Sequence, residues 1–208
     1  YLKDIVEKVQ FDSFYHEHLR TYSLKSLIIL MKYYKLHIRD AHTTERYNGN
    51  IQAHFCKNKK IKISKNVNII LSKEKKAKLD EIKTYQNFTR KVEKAKIDLH
   101  NFIIKNPNLS IIGKSYPARA SVILNYFSFL KEKIDFIAEQ PSSLKLNNYI
   151  AGTNIKIVDS KNITKIKPNV IIIFAWHLFK EIKNKWKSKG LPKNTKYILI
   201  LPKFKIFM

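Results

Sequence analysis

Four glycines, six prolines and one cysteine are scarce punctuation for 208 residues. The lone Cys56 excludes an internal disulfide and cannot by itself build a thiolate zinc cluster. With so few glycines, no stretch carries the G-x-G-x-x-G spacing that lets a backbone approach a dinucleotide pyrophosphate. No apolar run approaches the roughly 20 residues needed to cross a bilayer, and no segment has the layout of a signal peptide. These absences lead to the expectation of a cytoplasmic protein without a membrane anchor. The chain opens on Tyr1 rather than Met, so a fragment of a longer product is expected.

Arginine is scarce as well. The 41 basic residues against 16 acidic ones give a net charge of +25, yet only Arg20, Arg39, Arg46, Arg90 and Arg119 are arginines. A large positive charge draws phosphates, so a basic nucleic-acid-binding module is one reading. Against it, arginine is the usual bidentate reader of guanine, and the lysines are spread along the chain among Ile and Asn. The densest run, 57–78, reads as a solvated surface with a helix start. The same field would draw an anionic small substrate, such as a sugar nucleotide, into a cleft.

What is present alternates. LKSLIILMKYYK (24–35) has helical spacing; LHIRDAHT (36–43) and NIQAHFCKN (50–58) read as strands of a hairpin turned by RYNGN. The charged, periodic run from 72 to 105 predicts one long helix or two. Strands are then expected near 109–113, 134–138, 155–158, 170–175 and 197–201, with helices starting at SVILNYF and after the strand at 170. Gly190 would close the last of these helices. This order predicts an α/β fold with a mostly parallel, doubly wound sheet, whose sites lie at the carboxyl ends of the strands. The turn from Gly113 to Ser121 lies at such an end, where backbone N–H groups and Arg119 could hold an anion. Trp176 and His177 lie just past a buried strand at the same edge, where an indole capping the core is the competing reading.

One stretch raises a question of chemistry. In FDSFYHEHLRTYS (11–23), Tyr15, His16, Glu17 and His18 are consecutive, and only a loop could aim several of them at one point. A polar loop beside a core would look the same.

Read together, the segments resemble the C-terminal part of sugar C-methyltransferases, which methylate nucleotide-linked deoxysugars. Where that family has about FDxIYHEHxxYFSLxxL, this chain has FDSFYHEHLRTYSLKSL; GYGAxAKGNTLLNY is matched by GKSYPARASVILNY. KQGxYxPGTxIPI is matched by KLNNYIAGTNIKI, and PDxxLILAWNxxxEI by PNVIIIFAWHLFKEI, in the same order. The resemblance implies that residues 1–58 are the end of an S-adenosylmethionine-binding methyltransferase domain. It implies that 59–208 are a helical connection plus a Rossmann-like C-terminal domain. Zinc and most of the S-adenosylmethionine site would belong to segments upstream of Tyr1, leaving this chain inactive alone.

The resemblance also assigns roles. His18 would remove a proton beside a keto group, giving an enolate that attacks the cofactor methyl; Tyr15 and Glu17 would assist it. Histidine titrates near neutral pH, a neighbouring carboxylate can orient it, and a phenol can donate to a developing oxyanion. His16 is expected to be structural. Tyr116, Arg119, Ser121, Asn125 and Trp176 are the expected contacts to the nucleotide-linked sugar; no metal ligand is expected in this chain. Four departures accompany the match. The second glycine of the turn is Ser115, the usual lysine is Arg119, the usual HGGSLR is YNGNIQA (47–53), and PGT is Ala151–Thr153. A diverged, non-catalytic member is therefore a further alternative. No pattern sets an oligomeric state.

Overall fold

Three apolar side chains at helical spacing, Leu24, Ile28 and Met31, open the first element that the sequence predicts, and it forms as expected. The computed structural model describes residues 1–45, 48–187 and 190–208. By its contacts the chain forms two units: Tyr1–Phe11 with His16–Arg90, and Asp12–Tyr15 with Lys91–Met208.

The first unit begins with a short helix that the sequence reading missed, α1 (Leu2–Glu7). Helix α2 (Leu24–Tyr33) follows, with Ser23 and Ser26 forming a reciprocal capping box at its start. The N–H groups of Leu24 and Lys25 donate to the buried Glu74 carboxylate, at 2.6 and 3.1 Å. This negative charge sits against the positive end of the helix dipole. The hairpin is β1 (His37–Thr44) and β2 (Asn50–Cys56), antiparallel with His42 opposite Gln52 and an irregularity between Ile38 and Asp40. Of its predicted turn, Arg46 and Tyr47 lie outside the described residues. Helix α3 (Lys65–Lys76) starts inside the lysine-rich run read as a solvated surface with a helix start. Its buried Val67 and Ile70 join Leu24, Ile38 and Ala41 in one core, which is why a segment so rich in lysine still folds. The predicted run from 72 to 105 is thus split, with α4 (Ile82–Ile104) as its second helix.

In the second unit, α4 buries Val92, Ala95, Leu99 and Ile103, one helical stripe. Six strands follow: β3 (Ile111–Lys114), β4 (Phe136–Glu139), β5 (Lys156–Asp159), β6 (Val170–Ile173), β7 (Lys196–Leu199) and β8 (Lys205–Phe207). Helices α5 (Ala120–Tyr126), α6 (Ile163–Ile166) and α7 (Phe179–Lys187) lie between them in sequence. The sheet order is β5-β4-β3-β6-β7-β8, parallel except for β8, which pairs antiparallel with β7. This is the Rossmann-like α/β sheet expected from the alternation of patterns, with β8 as an unexpected edge. Gly190 (φ 73) lies beyond α7, but residues 188 and 189 are not described, so its closing role lies outside the described residues.

The sheet core is aliphatic: Ile112, Ile137, Ile171, Ile172 and Ile198 are fully buried. At its centre Gly113 pairs with Ile137 and Ile172 on its two sides. A Cβ there would lie 2.7 Å from Ile137 Cγ1 and 2.8 Å from Phe174 Cε2. Gly113→Ala is therefore expected to overpack the core and lower stability by about 1–3 kcal/mol, measured as a reduced urea midpoint.

Several chain reversals use residues other than glycine in the left-handed region. Helices α2, α3 and α6 leave through Lys35 (φ 57), Lys78 (φ 54) and Lys167 (φ 49).

Candidate functional site

Strand order reverses between β3 and β6, so their carboxyl ends open the crevice where sheets of this kind bind ligands. The turn after β3 and the residues after β6 meet there, around a buried carboxylate.

Asp12 is fully buried. Arg119 Nη2 donates to Asp12 Oδ1 at 2.8 Å and to Ser13 Oγ at 2.8 Å. Arg119 Nε lies 2.7 Å from Asp12 Oδ2, a charge contact without an aligned hydrogen bond. Trp176 Nε1 donates to the same Oδ2 at 3.0 Å, and the Arg119 guanidinium stands 5.5 Å from the Trp176 ring centroid. Residues from three distant parts of the sequence are thus tied by one carboxylate. The Arg119 side chain keeps 11 % of its surface exposed, so its guanidinium is committed to Asp12 and Ser13 rather than standing in solvent.

His177 follows Trp176, and its buried Nδ1 has no hydrogen-bond partner among the described residues. Burial pushes its pKa below the ordinary 6.5 and the Arg119 charge pushes the same way, against the pull of Asp12 and Glu181. A histidine depressed in this way adds stability that is complete above pH 6.5 and is lost as pH falls through its folded-state value. Acid below pH 6.5 is thus expected to lower the melting temperature of the natural chain more than that of His177→Gln. Equal losses in thermal scans across that range would show that His177 does not carry the dependence.

The turn after β3 turns on Ser115, held at φ 64, whose N–H donates to Ala138 O at 3.0 Å. A left-handed residue there accounts for the glycine seen at this position in the resembling family. Next, Tyr116 N–H donates to Glu139 Oε2 at 2.8 Å, and Gln140 N–H to Glu139 Oε1 at 2.9 Å. Lys145 Nζ donates to Tyr116 O at 2.6 Å. Burial raises the Tyr116 phenol pKa.

The expected site residues fall into separate groups. Arg119 and Trp176 converge on Asp12. Tyr116 goes to Glu139. Ser121 Oγ donates to Ala118 O at 2.7 Å, and Asn125 Oδ1 accepts from Lys131 Nζ at 2.9 Å, both close in sequence. In the opening motif Tyr15 is half-buried, whereas His16, Glu17 and His18 are exposed. His16 Nε2 lies 3.9 Å from Glu17 Oε1. Asp12, Ser13, Glu139 and Lys145 were missed by sequence reasoning. Asp12 stands within the quoted FDSFYHEH, but nothing local marks a partner 107 positions away.

The turn does not fit a dinucleotide or a comparable cofactor. Ser115 stands at the left-handed position, and the Tyr116 N–H is already taken by a carboxylate. Among the described residues, no three His, Cys, Asp or Glu side chains come together to hold a metal ion, and no helix is long and apolar enough to cross a membrane.

The family model described as C-methyltransferase C-terminal domain matches residues 46–202. C-methyltransferase NovU of Streptomyces niveus is 23% identical over 207 residues, covering 97% of this chain and 48% of that protein. The chain thus spans about half the length of this relative.

Proposed function

The chain belongs to the C-methyltransferase C-terminal domain family, and from that premise we propose that it is part of an S-adenosylmethionine-dependent methyltransferase. Its substrate is a keto-deoxysugar linked to a nucleotide, methylated at the carbon beside the keto group. The family match over residues 46–202 carries this reading. Supporting it is a polar site at the strand-order reversal of the second unit, the place where such sheets take ligands. In this reading residues 1–58 end the methyltransferase domain and 59–208 form the connection and C-terminal domain. S-adenosylmethionine, held mainly outside this chain, supplies an electrophilic methyl group when bound, and zinc would also lie outside it.

This chain's own chemistry is proton transfer and substrate positioning. His18, exposed on its loop, takes the proton from the carbon beside the keto group, which is acidic because the resulting charge delocalises onto oxygen. Tyr15 donates to that oxygen as charge develops, and Glu17 holds the imidazole in its working orientation. Tyr116, Ser121, Asn125 and Trp176 face the nucleotide-linked sugar. Arg119 acts from its seat on Asp12, fixing the Trp176 indole.

The test is full-length protein with methyl-labelled S-adenosylmethionine and keto-deoxysugar nucleotides. Label is expected on carbon of the sugar. In heavy water, exchange of the proton beside the keto group is expected even without the cofactor. Absence of both, together with a tight salt-dependent complex with single or double strands, would move the assignment to a nucleic-acid-binding module. Absence of both without such a complex would identify a non-catalytic family member.

A further inference from the structure

A buried ion pair is a poor source of stability, because desolvating both charges consumes most of the attraction it gains. Asp12 and Arg119 form one all the same, both of them withdrawn from solvent. What such a pair supplies is a fixed position. Arg119 Nη2 bonds two consecutive residues, Asp12 through Oδ1 and Ser13 through Oγ, each at 2.8 Å. The other carboxylate oxygen takes the Trp176 N–H at 3.0 Å and stands 2.7 Å from Arg119 Nε. Arg119 leads into α5 and Trp176 lies just beyond β6. The carboxylate is thus gripped from two directions and cannot turn without breaking one set of contacts.

The clamp sits where burial stops. Phe11, Asp12 and Ser13 make one turn of 3-10 helix, and all three are buried. Directly after it Phe14 is exposed, Tyr15 is half-buried, and His16, Glu17 and His18 are exposed. Ser13 is therefore the last buried residue before the YHEH loop. Three peptide steps reach at most about 11 Å, so Tyr15 lies within that distance of Asp12. By its contacts the stretch Asp12–Tyr15 belongs to the second unit, although the residues on both sides of it belong to the first. A segment set apart from its neighbours in this way needs a tether, and Arg119 and Trp176 provide one. FD, AR and AW, from three of the segments that carry the family resemblance, meet at this one carboxylate.

We propose that Asp12 is a positioning residue for methyl transfer: clamped by Arg119 and Trp176, it sets where the Tyr15 phenol stands against the developing enolate oxygen. The proposal rests on the sugar C-methylation reading above and deepens it. Asp12 itself touches no reacting atom. A misplacement of about 1 Å costs on the order of a hundredfold in rate, so a residue that meets no substrate still governs turnover through the phenol.

A double-mutant cycle on turnover of the full-length protein tests it. Asp12→Asn keeps the shape and an acceptor for the Trp176 N–H, but removes the charge that holds Arg119. It is expected to lower kcat, and exchange of the proton beside the keto group in heavy water, by about 10–100-fold. The stoichiometry of S-adenosylmethionine binding, read by titration, should stay that of the natural protein, which shows the variant folded. In a Tyr15→Phe background the same substitution should cost no more than about twofold, because the phenol it positions is already gone. Amide exchange at Ser13–Tyr15, read by mass spectrometry, should quicken in Asp12→Asn. A solely structural Asp12 would lower kcat by one factor with or without the Tyr15 hydroxyl, to within about twofold. That result, a kcat unchanged by Asp12→Asn, or unaltered amide exchange overturns the proposal and leaves the enzyme reading standing. Should Asp12→Asn fail to fold, Arg119→Lys decides through the same cycle, since it keeps the charge and loses the planar grip on Asp12 and Ser13. A natural protein that neither transfers methyl nor exchanges the proton removes the enzyme reading, and this proposal falls with it.

Discussion

His18→Ala in the full-length enzyme is expected to slow turnover by about 10²–10⁴-fold, the contribution of a positioned general base. In the proposed mechanism the step it supports is removal of a carbon-bound proton, for which water is a poor substitute at neutral pH. Affinity for S-adenosylmethionine, measured by titration, should stay close to that of the natural protein, because the turn after β3 does not fit a cofactor and His18 lies on an exposed loop. Glu17→Gln should cost less, since it changes only how the imidazole is oriented and charged. The proton-exchange assay in heavy water separates the step from methyl transfer: His18→Ala should abolish exchange and transfer together. Turnover that survives within a factor of a few would remove His18 as the base and return YHEH to a polar loop beside a core.

The second large effect is on stability. Asp12→Ala should destabilise the fold by about 3–5 kcal/mol, the cost of leaving a buried charge without its partner. Asp12 is fully buried and the Arg119 side chain is only 11 % exposed, so solvent screening relieves little of it. The guanidinium loses its carboxylate, and the Trp176 N–H loses its acceptor. Arg119→Met in the Asp12→Ala background should recover part of the loss, because it removes the stranded cation and fills similar volume. A double-mutant cycle by urea denaturation gives the coupling. A loss below about 1 kcal/mol for Asp12→Ala would class the pair with exposed ion pairs, contrary to its burial. Arg119→Lys should fall between, since an ammonium cannot bond Asp12 and Ser13 in the same plane.

The sheet was legible because its strands are short aliphatic runs between helical patterns. VIII lies within a predicted segment, and IIGK, FIAE and KYIL each overlap one to within a residue. β8 was not, since three residues after Pro202 are too few to show a period, and α1 was missed for the same reason. A helix start was expected in the lysine-rich run, but the lysines masked Val67, Ile70 and Glu74 as the buried face of α3. In the site, Arg119 and Trp176 were legible from motif and position. Asp12 was not recognised as their common partner, because a pairing of side chains across the whole chain leaves no local trace. Glu139 was not singled out either, because its acceptance of the Tyr116 N–H depends on the pairing of β3 with β4.

The lysines that end α2, α3 and α6 in left-handed conformations have a consequence for how this chain tolerates its own composition. An L-residue there costs roughly 1–2 kcal/mol relative to a right-handed one, which glycine avoids. A lysine, however, brings its ammonium to the carbonyl end of a helix, where the dipole is negative, an attraction of about 0.3–1 kcal/mol at low ionic strength. For Lys35 and Lys167 that attraction offsets part of the steric cost, whereas the Lys78 ammonium pairs with Glu81 at 3.1 Å. That compensation works only while the solution is dilute in ions: these helix exits are tuned to ionic strength in a way that glycine exits would not be.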